Sequence, residues 1–572
     1  MRPGAASSLR HWRVHLLTRI YQSSCLRPDA FSETQMLLRK IEFALAAVLI
    51  SAGVQSLQAQ EKGAPAVPPQ SVAAPDSVTE GKVTVSGHAI AYRAVAGTLV
   101  VGSSNVQDAM LGPDGRLSSG GDEKATEQAT ARMFYVAYFK RDATANRPIS
   151  FIYNGGPGGS SAPLHMGAFG PRRVIVPDAQ PDAGAPYKIV SNNYSLLDAS
   201  DLVFVDAPGT GFGELRGAEK EKAFWGNDPD AHAFERFIRR FLSRYGRWNS
   251  AKYLIGESYG TVRNAQLAAA LQFVNLNGIV SLSQILDFNN NADGQDFSPG
   301  IDQSSALALP TLAAVAFYHH KLPSQPPALE PFLAEVEQYA LGEYMSALLQ
   351  GSELEAARKQ AVAEKLQAYT GLPVALLLRA NLRIRGGVFI KDLLLDDGMT
   401  TGHLDGRYQG PDLDPLSKTG GYDPLISAVG PAYMAAVNDY LRQQLKYGSE
   451  RPYKFLLGGT EPFSWDWRHA APGGPPVGEA PGISTNVMPD LAYAMKMNPR
   501  MKVLLVGGYY DIVTPFFEGI YEMHHLPIPQ SLQANISYRQ YASGHMVYVN
   551  EDALRQFHED VATFIRETQT GK

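Results

Sequence analysis

Short apolar runs alternate with amphipathic segments along most of the chain. The runs at 149–154 (ISFIYN) and 201–206 (DLVFVD) are almost wholly apolar, which is typical of strands buried on both faces of a sheet. Because amphipathic helices separate several such runs, the pattern predicts an α/β fold with a mostly parallel central sheet and helices on both faces. Further strands are predicted at 82–101, 133–140, 253–255, 278–283, 502–508 and 537–542.

A long helix is predicted before the strand YLI. Apolar side chains recur at spacings of three and four residues from Phe234 to Tyr245, so they share one helix face. Asp228 followed by Pro229 predicts the N-cap and the first turn, and Gly246 predicts the C-terminal stop.

The middle of the chain, residues 290–440, is richer in helix than in strand. One helix there is predicted to open at a capping box formed by Ser352 and Glu355, and to close near Gly371. We interpret this stretch as a helical cap inserted into the α/β core.

The N-terminal region has the pattern of a targeting segment. Residues 36–59 combine a short positive stretch, an apolar run too short to span a bilayer and small residues suited to cleavage, which predicts a signal peptide. Residues 1–35 are interpreted as an upstream segment before a mis-assigned start, and 60–80 as a Pro/Ala-rich linker. The core then occupies 81–289 and 441–572. A cleaved signal predicts a secreted or periplasmic protein without an integral membrane segment, and an uncleaved anchor is the alternative.

Composition limits the range of functions. Among 572 residues, 45% are hydrophobic and 19% charged, which is ordinary for a globular protein that forms a core. The net charge of -5 favours neither nucleic acid nor an anionic membrane surface as a partner. The single cysteine, Cys25, precedes the predicted signal peptide and excludes an intrachain disulfide and a cysteine metal cluster. No feature of the sequence predicts an oligomeric state.

The segment 256–260 (GESYG) places Ser258 between an apolar strand and a helix. A nucleophile elbow needs this arrangement, because the glycines permit a sharp turn and the helix N-terminus presents backbone N–H groups to the reacting oxygen. An ordinary glycine-bounded turn is the alternative. We therefore take Ser258 as the candidate nucleophile of an α/β-hydrolase fold.

A serine nucleophile needs a histidine to accept its proton and a carboxylate to orient that histidine. Asp511 follows the strand at 502–508, and His545 lies in a glycine-flanked loop after the strand at 537–542. Taken separately, Asp511 is also explained as a turn residue and His545 as a surface-loop residue. Their order after Ser258 is that of α/β-hydrolases, which favours a catalytic triad.

Residues 153–161 (YNGGPGGSS) form a glycine-rich loop directly after a buried strand. Glycines allow main-chain N–H groups to approach a substrate oxyanion. A phosphate-binding loop is the alternative, but the segment lacks the Gly-Lys-Ser/Thr ending of such loops. The sequence therefore predicts no nucleotide and no other cofactor.

Several other residues with possible chemistry are expected to be structural. The aromatic segments 465–467 and 509–510 are candidates for a substrate pocket, but packing is the commoner role of aromatic residues. The histidine pairs 319–320 and 524–525 have no acidic cluster beside them, so no metal site is predicted. Asp206, at the end of a strand, is expected to form structural hydrogen bonds.

Four segments together resemble the serine carboxypeptidase family. They are 154–161 with 170–173 (GPRR), 201–213, 256–260, and YDIVTP with GHMVY near the C-terminus. The resemblance extends over roughly 85–565 and is strongest to the bacterial branch. It implies an α/β-hydrolase fold, peptide substrates and release of C-terminal residues.

The resemblance also implies roles for individual residues. The three triad residues keep the roles given above, and the backbone N–H groups of Gly156 and Tyr259 would form the oxyanion hole. Asn154 and Glu257 would hold the free C-terminal carboxylate of the peptide. A carboxyl group can bind a carboxylate only when it is protonated, which favours activity at acidic pH.

Two positions depart from the family pattern. The family has a second glutamate where this chain has Ala168, and many members have a cysteine where it has Gly159. The missing glutamate bears on carboxylate specificity and on the acid optimum. An esterase or acyltransferase with the same triad therefore stays an alternative, as does a non-catalytic binding protein that keeps the fold.

Overall fold

One ten-stranded sheet organises the part of the protein that the structure describes. The computed structural model describes residues 75–112, 128–271, 273–294, 298, 300–458, 462–473 and 484–569, all within the compact unit Ala74–Lys572. Two short pairs, β5 with β6 and β11 with β12, lie outside the main sheet. The strands are β1 (Ser77–Val85), β2 (His88–Gly102), β3 (Thr130–Lys140), β4 (Ile149–Tyr153), β5 (Arg172–Val174), β6 (Ile189–Ser191), β7 (Asp201–Val205), β8 (Glu214–Arg216), β9 (Lys252–Glu257), β10 (Gly278–Leu282), β11 (Met399–Thr401), β12 (Gln409–Pro411), β13 (Lys502–Gly508) and β14 (Ile536–Tyr541).

The main sheet has the strand order β1-β2-β3-β7-β4-β9-β10-β13-β14, with β8 paired to β3. Neighbouring strands are antiparallel from β1 to β7 and parallel from β7 through β4, β9, β10 and β13 to β14. The carboxyl ends of the parallel strands therefore lie along one edge, where α/β sheets place their sites. The predicted α/β-hydrolase fold class is confirmed.

Helices cover both faces of the sheet. Successive side chains of a strand point to opposite faces. Ile152 accordingly lies in the hydrophobic cluster with α11 and α15, whereas Phe151 lies in the cluster with α3, α4 and α12. The α-helices are α1 (Asn105–Met110), α2 (Lys220–Phe224), α3 (Asn227–Tyr245), α4 (Tyr259–Ala270), α5 (Gln303–Tyr318), α6 (Leu329–Tyr339), α7 (Met345–Leu348), α8 (Ala356–Thr370), α9 (Val374–Arg379), α10 (Gly386–Asp392), α11 (Pro424–Asp439), α12 (Met488–Met497), α13 (Phe516–His524), α14 (Gln530–Gln533) and α15 (Glu551–Thr568).

Helix α3 follows from the apolar pattern of its sequence. Phe234, Phe237, Ile238 and Phe241 are buried against the sheet. Complete burial of one such side chain contributes about 1.5–3 kcal/mol to folding. Gly246 ends the helix in the left-handed region at φ 62°, as predicted.

The predicted N-cap of α3 is wrong. The helix begins at Asn227 with Gly226 as its N-cap, so Asp228 lies in the first turn. The Asp228 carboxylate accepts hydrogen bonds from the backbone N–H of Ala470 and the ring of His469 instead. The Asp228 side chain, which the local pattern assigns to capping, therefore forms tertiary hydrogen bonds instead.

The middle of the chain forms a hydrophobic cluster of its own. Helices α5, α6 and α8 meet through residues such as Leu312, Val336 and Leu366, and Ile512 joins this cluster from the segment after β13. Helix α11 packs differently, because its Val429 belongs to the cluster that covers the sheet. Within the predicted cap, the helices before α11 thus pack on each other, and α11 packs on the core.

The predicted capping box of α8 is also wrong. The N-cap is Glu355, and no side-chain hydrogen bond caps the helix. Ser352 lies instead in the 3-10 turn Gly351–Glu353, which Gly351 opens at a positive φ of 54°. The helix closes at Gly371 in the left-handed region, as predicted.

The predicted upstream segment and signal peptide, 1–35 and 36–59, lie outside the described residues, as does most of the predicted linker 60–80. Strand β1 nevertheless begins at Ser77, inside that linker. Its first half buries no side chain fully and is held by pairing with β2, so the hydrophobic pattern does not reveal it. Within the described ranges, no helix is long and apolar enough to cross a bilayer.

A buried ion pair fixes α3 and α4 beside the end of β4. Arg263 on α4 is completely buried, and its Nε lies 2.6 Å from Oδ2 of Asp230 on α3. The same guanidinium donates to the backbone carbonyl of Asn154 at 2.9 Å and stacks over the Phe234 ring. These contacts position Asn154, the second residue of the glycine-rich loop.

We expect Arg263→Met to lower the free energy of unfolding by about 3–5 kcal/mol, because Asp230 is then left charged and unpaired in the core. Urea unfolding followed by circular dichroism measures this loss. The double variant Arg263→Met, Asp230→Leu is the control and should regain a large part of it. An equal or larger loss in the double variant would contradict the assignment of the cost to the unpaired charge.

Candidate active site

Ser258 lies in a sharp turn between β9 and α4. It has φ 60° and ψ -130°, a strained conformation for a residue with a side chain, and it is partly exposed. The turn requires glycine at 256, where a Cβ atom would lie 2.2 Å from the carbonyl oxygen of Gly260. The backbone N–H of Ser258 bonds to Leu282 at the end of β10. The geometry is that of a nucleophile elbow.

Asp511 and His545 meet beyond the ends of β13 and β14. Nδ1 of His545 lies 2.7 Å from Oδ2 of Asp511, and both side chains are buried. Thr514 orients the carboxylate, since its backbone N–H and its hydroxyl donate to the two Asp511 oxygens at 3.0 and 2.6 Å. This geometry is the one expected of the orienting half of a catalytic triad.

The end of β10 connects the nucleophile with this pair. Ser258 bonds to Leu282 through its backbone, and the hydroxyl of the next residue, Ser283, donates to the carbonyl of His545 at 2.8 Å. Among the described residues, no hydrogen bond joins the Ser258 hydroxyl to the imidazole. Serine–histidine bonds in unliganded enzymes are often long and tighten with substrate. The structure thus brings Ser258, Asp511 and His545 to the same edge of the sheet.

The electrostatics around His545 favour a cationic imidazole. Burial acts to lower the pKa of His545, but the charge of Asp511 and its hydrogen bond outweigh burial, and the pKa is raised above its usual value. Glu257 and Asp423 act in the same direction. The site therefore stabilises the imidazolium that forms when a nucleophile gives up its proton.

The glycine-rich loop packs tightly against the N-terminus of α4. A Cβ atom at Gly155 would lie 2.4 Å from the backbone nitrogen of Tyr259, so only glycine permits this approach. The start of the glycine-rich loop thus lies against the backbone of Tyr259, and Gly156 and Tyr259 remain the expected oxyanion-hole donors. Asp206 holds the far end of the loop, because it accepts the backbone N–H of Ser161 at 2.7 Å.

Asn154 and Glu257 lie in direct contact. Nδ2 of Asn154 donates to Oε2 of Glu257 at 2.9 Å, and Oδ1 of Asn154 accepts the backbone N–H of Leu164. Glu257 is buried, and burial raises its pKa to about 7. Ala168, where the family has its second glutamate, is buried in the short π-helix Leu164–Phe169. Glu257 is thus protonated in a large fraction of molecules near neutral pH.

The sequence did not reveal a segment of the cap region that holds the triad loops. The carbonyl of Leu404 accepts the backbone N–H of His545 at 2.7 Å, and Oδ2 of Asp405 accepts that of Gly544 at 3.0 Å. Arg407 is ion-paired to Asp405 and donates to the Ser543 hydroxyl. No motif marks this segment, because its only signal is contact with residues far along the chain.

Two tryptophans pack beside the elbow. Trp465 and Trp467 contact the ring of Tyr259 edge to face, with centroids 5.3 and 6.2 Å away. The Tyr259 hydroxyl and the Trp465 indole both donate to Oδ1 of Asn227. Both tryptophans therefore support Tyr259, whose backbone N–H is an expected oxyanion-hole donor. Tyr510, in the other aromatic segment, packs over Arg407.

The histidine pairs make ordinary contacts. His319 bonds to the carbonyl of Gly406, His524 packs on Tyr538 and His525 stacks on Tyr521. In the described part of the chain, no group of three or more histidine, cysteine, aspartate or glutamate residues is arranged to hold a metal ion.

Part of the chain matches a known protein family. Residues 118–283 match the family model described as serine carboxypeptidase. No match was found among the curated proteins. In fold, the chain is similar to a prohormone-processing carboxypeptidase from Saccharomyces cerevisiae, with 13% identity over 83% of this chain and 91% of that one and a TM-score of 0.45. It is also similar to a proline iminopeptidase from Mycobacterium smegmatis, with 13% identity over 77% of this chain and 96% of that one and a TM-score of 0.32.

The sheet order and the elbow at its carboxyl edge define a hydrolase of the α/β-hydrolase fold. The family match covers the glycine-rich loop and the elbow of that site. Over this range the chain is similar to the serine carboxypeptidase family, which supports a serine carboxypeptidase-like hydrolase. Asp511 and His545 lie outside the matched range. In the structure, His545 contacts Asp511 and also accepts a hydrogen bond from Ser283, the last residue of that range.

We expect Asp405→Asn to lower kcat about 10- to 100-fold with little change in KM. The new amide must present a donor to either Arg407 or the Gly544 N–H, which displaces the His545 loop, and small displacements at a reacting group cost this much. Steady-state kinetics on a peptide substrate measure the effect. Asp560→Asn is the matched control, because Asp560 accepts the Tyr541 hydroxyl away from the site. An unchanged kcat in Asp405→Asn would refute the positioning role.

Proposed function

We propose that this protein removes C-terminal residues from peptides through a covalent acyl-enzyme. The observation that carries the proposal is the buried Glu257–Asn154 pair directly beside the nucleophile Ser258. A protonated carboxyl and an amide N–H are donors that fit a carboxylate. A pair of donors at this position suits a substrate whose scissile bond lies one residue before a free C-terminus.

The chemistry uses the three residues at the sheet edge. The Ser258 oxygen attacks the scissile carbonyl carbon, and His545 accepts the serine proton while Asp511 orients the imidazole. The N–H groups of Gly156 and Tyr259 stabilise the negative oxygen of the tetrahedral intermediate. The C–N bond then breaks, and His545 gives its proton to the leaving amine.

Deacylation repeats these steps with water. His545 removes a proton from a water molecule that attacks the acyl carbon, and the Ser258 oxygen leaves with the proton that the imidazole returns. This step releases the peptide shortened by one residue and regenerates the free enzyme. An alcohol in place of this water would make the protein an acyltransferase, and an ester in place of the amide would make it an esterase.

The presence of alanine at position 168, where the family has a second glutamate, favours an esterase or acyltransferase as a second candidate function. Among the described residues, no second carboxyl is hydrogen-bonded to Glu257, so carboxylate recognition in the proposal rests on Glu257 and Asn154. The two candidates differ in one requirement, because only the carboxypeptidase needs a free carboxylate on its substrate.

The predicted targeting segment supports a location outside the cytoplasm. We infer that residues 36–59 direct the chain to the periplasm or the medium and are then removed. The mature protein should therefore begin at Gln60, which N-terminal sequencing of protein purified from its host would show. A mature N-terminus before residue 36 would contradict the signal peptide, and one at 36 would indicate an uncleaved anchor.

Amidation of the substrate tests the proposed activity. We expect a C-terminally amidated peptide to react with a kcat/KM about 10- to 100-fold below that of the free peptide, since hydrogen bonds to a charged group are worth about 1.5–3 kcal/mol. The free peptide should also lose kcat/KM as pH rises through about 7, the pKa to which burial raises Glu257, because only the protonated form binds carboxylate. The amidated peptide should lack this alkaline limb. Both substrates should lose activity at acidic pH, where His545 is protonated.

Ser258→Ala is the control for this assay and should abolish release from both substrates. Equal rates for free and amidated peptides would rule out carboxylate recognition and favour the esterase or acyltransferase. A fluorophosphonate probe that fails to label the wild-type Ser258 would favour a non-catalytic binding protein.

A further inference from the structure

A tyrosine hydroxyl shares the carboxylate-binding glutamate with Asn154. The Tyr548 hydroxyl donates to Oε2 of Glu257 at 2.9 Å, the same oxygen that accepts Nδ2 of Asn154 at 2.9 Å. Tyr548 is fully enclosed in the short 3-10 turn Val547–Val549 that follows His545. It therefore reaches Glu257 from the loop that carries the catalytic imidazole.

This double contact decides which oxygen of Glu257 carries a proton. An oxygen that accepts two hydrogen bonds has no lone pair left to hold a proton as well, so the proton of the neutral acid lies on Oε1. No described residue donates a hydrogen bond to Oε1. The acid is thus held with its donor oxygen unengaged by the protein and available to a substrate carboxylate.

The protein makes room for Tyr548 at a specific place. A Cβ atom at Gly167 would lie 2.8 Å from Cδ2 of Tyr548 and 2.5 Å from the hydroxyl of Tyr433. Glycine at 167 and the small side chain of Ala168 are both buried in the π-helix that faces these two rings. The space beside Glu257 is therefore filled by a phenol that stays neutral, because burial raises the pKa of Tyr548 well above its usual value.

The charged and titratable groups that face Glu257 come from several elements. Burial raises the pKa of Glu257, the charge of His545 lowers it, the Tyr548 hydrogen bond lowers it further and the charge of Asp511 raises it. Tyr433 faces Glu257 from α11, but its hydroxyl is buried with no hydrogen-bond partner among the described residues. Of these titratable groups, Tyr548 is the one that donates a hydrogen bond to Glu257, and it does so together with the amide of Asn154.

We propose that Tyr548 is a positioning residue for carboxylate recognition, which holds Glu257 so that Oε1 donates to the C-terminal carboxylate of the substrate. The inference rests on the proposed carboxypeptidase function and adds a residue that acts only through Glu257. Tyr548 itself does not touch the substrate, so its removal should affect binding of the carboxylate and leave the acyl-transfer chemistry in place.

The test is Tyr548→Phe, which keeps the ring and removes the hydroxyl. We expect KM for the free peptide to rise about tenfold with kcat nearly unchanged, the loss appropriate to one hydrogen bond to an ionisable group. The amidated peptide should react as it does with the wild type. The alkaline limb of the free peptide should also move to higher pH, because the lost donor is one that lowers the pKa of Glu257.

Tyr541→Phe is the matched control. It removes a tyrosine hydroxyl that donates to a carboxylate, Asp560, at the same distance of 2.9 Å but away from the site, so both substrates should keep their wild-type constants. If Tyr548→Phe leaves both KM and the alkaline limb of the pH profile unchanged, the inference is overturned. The proposed function still stands in that case, provided that the wild type prefers the free peptide to the amidated one. An equal fall of kcat for both substrates would also overturn it, since that indicates a general structural role. A wild type that does not distinguish the two peptides would reject the proposed function and this inference together.

Discussion

The buried hydrogen bond between Asp511 and His545 is the interaction on which the rest of the site depends. At 2.7 Å and out of contact with solvent, it fixes the tautomer and the direction of the imidazole. The two residues follow neighbouring parallel strands, β13 and β14, and their loops are held by the shared edge of the sheet. In the proposed mechanism, this pair supplies the oriented base that activates the strained serine at the end of β9.

A second constraint is that segments far apart along the described part of the chain meet at the site. The glycine-rich loop after β4 can approach the elbow only because Gly155 has no side chain. Residues 403–407 of the cap region bind the loops that carry Asp511 and His545 from the opposite side. This segment of the cap region therefore positions the loops of Asp511 and His545.

In the proposed function, the contacts of Glu257 account for carboxylate recognition with alanine at 168. Burial keeps the acid protonated near neutral pH, and two neutral donors, Asn154 and Tyr548, fix one of its oxygens. A second carboxyl would have to share a proton with Glu257 to serve the same purpose. A phenol needs no such sharing, so its role does not depend on pH in the working range.

The sequence by itself determined the buried strands of the parallel sheet, the glycine-bounded turn at Ser258 and the order of the candidate triad residues, because these depend on local periodicity and on nearby glycines. Predictions from local sequence failed where a side chain bonds to a residue far along the chain. Asp228, for example, is predicted to cap α3 but is hydrogen-bonded to His469. The tertiary structure alone decided that Asp405 supports the His545 loop and that Tyr548 binds Glu257, a residue 291 positions away. Such contacts form between residues far apart in the sequence when helices, strands and loops pack together, so no local sequence pattern predicts them.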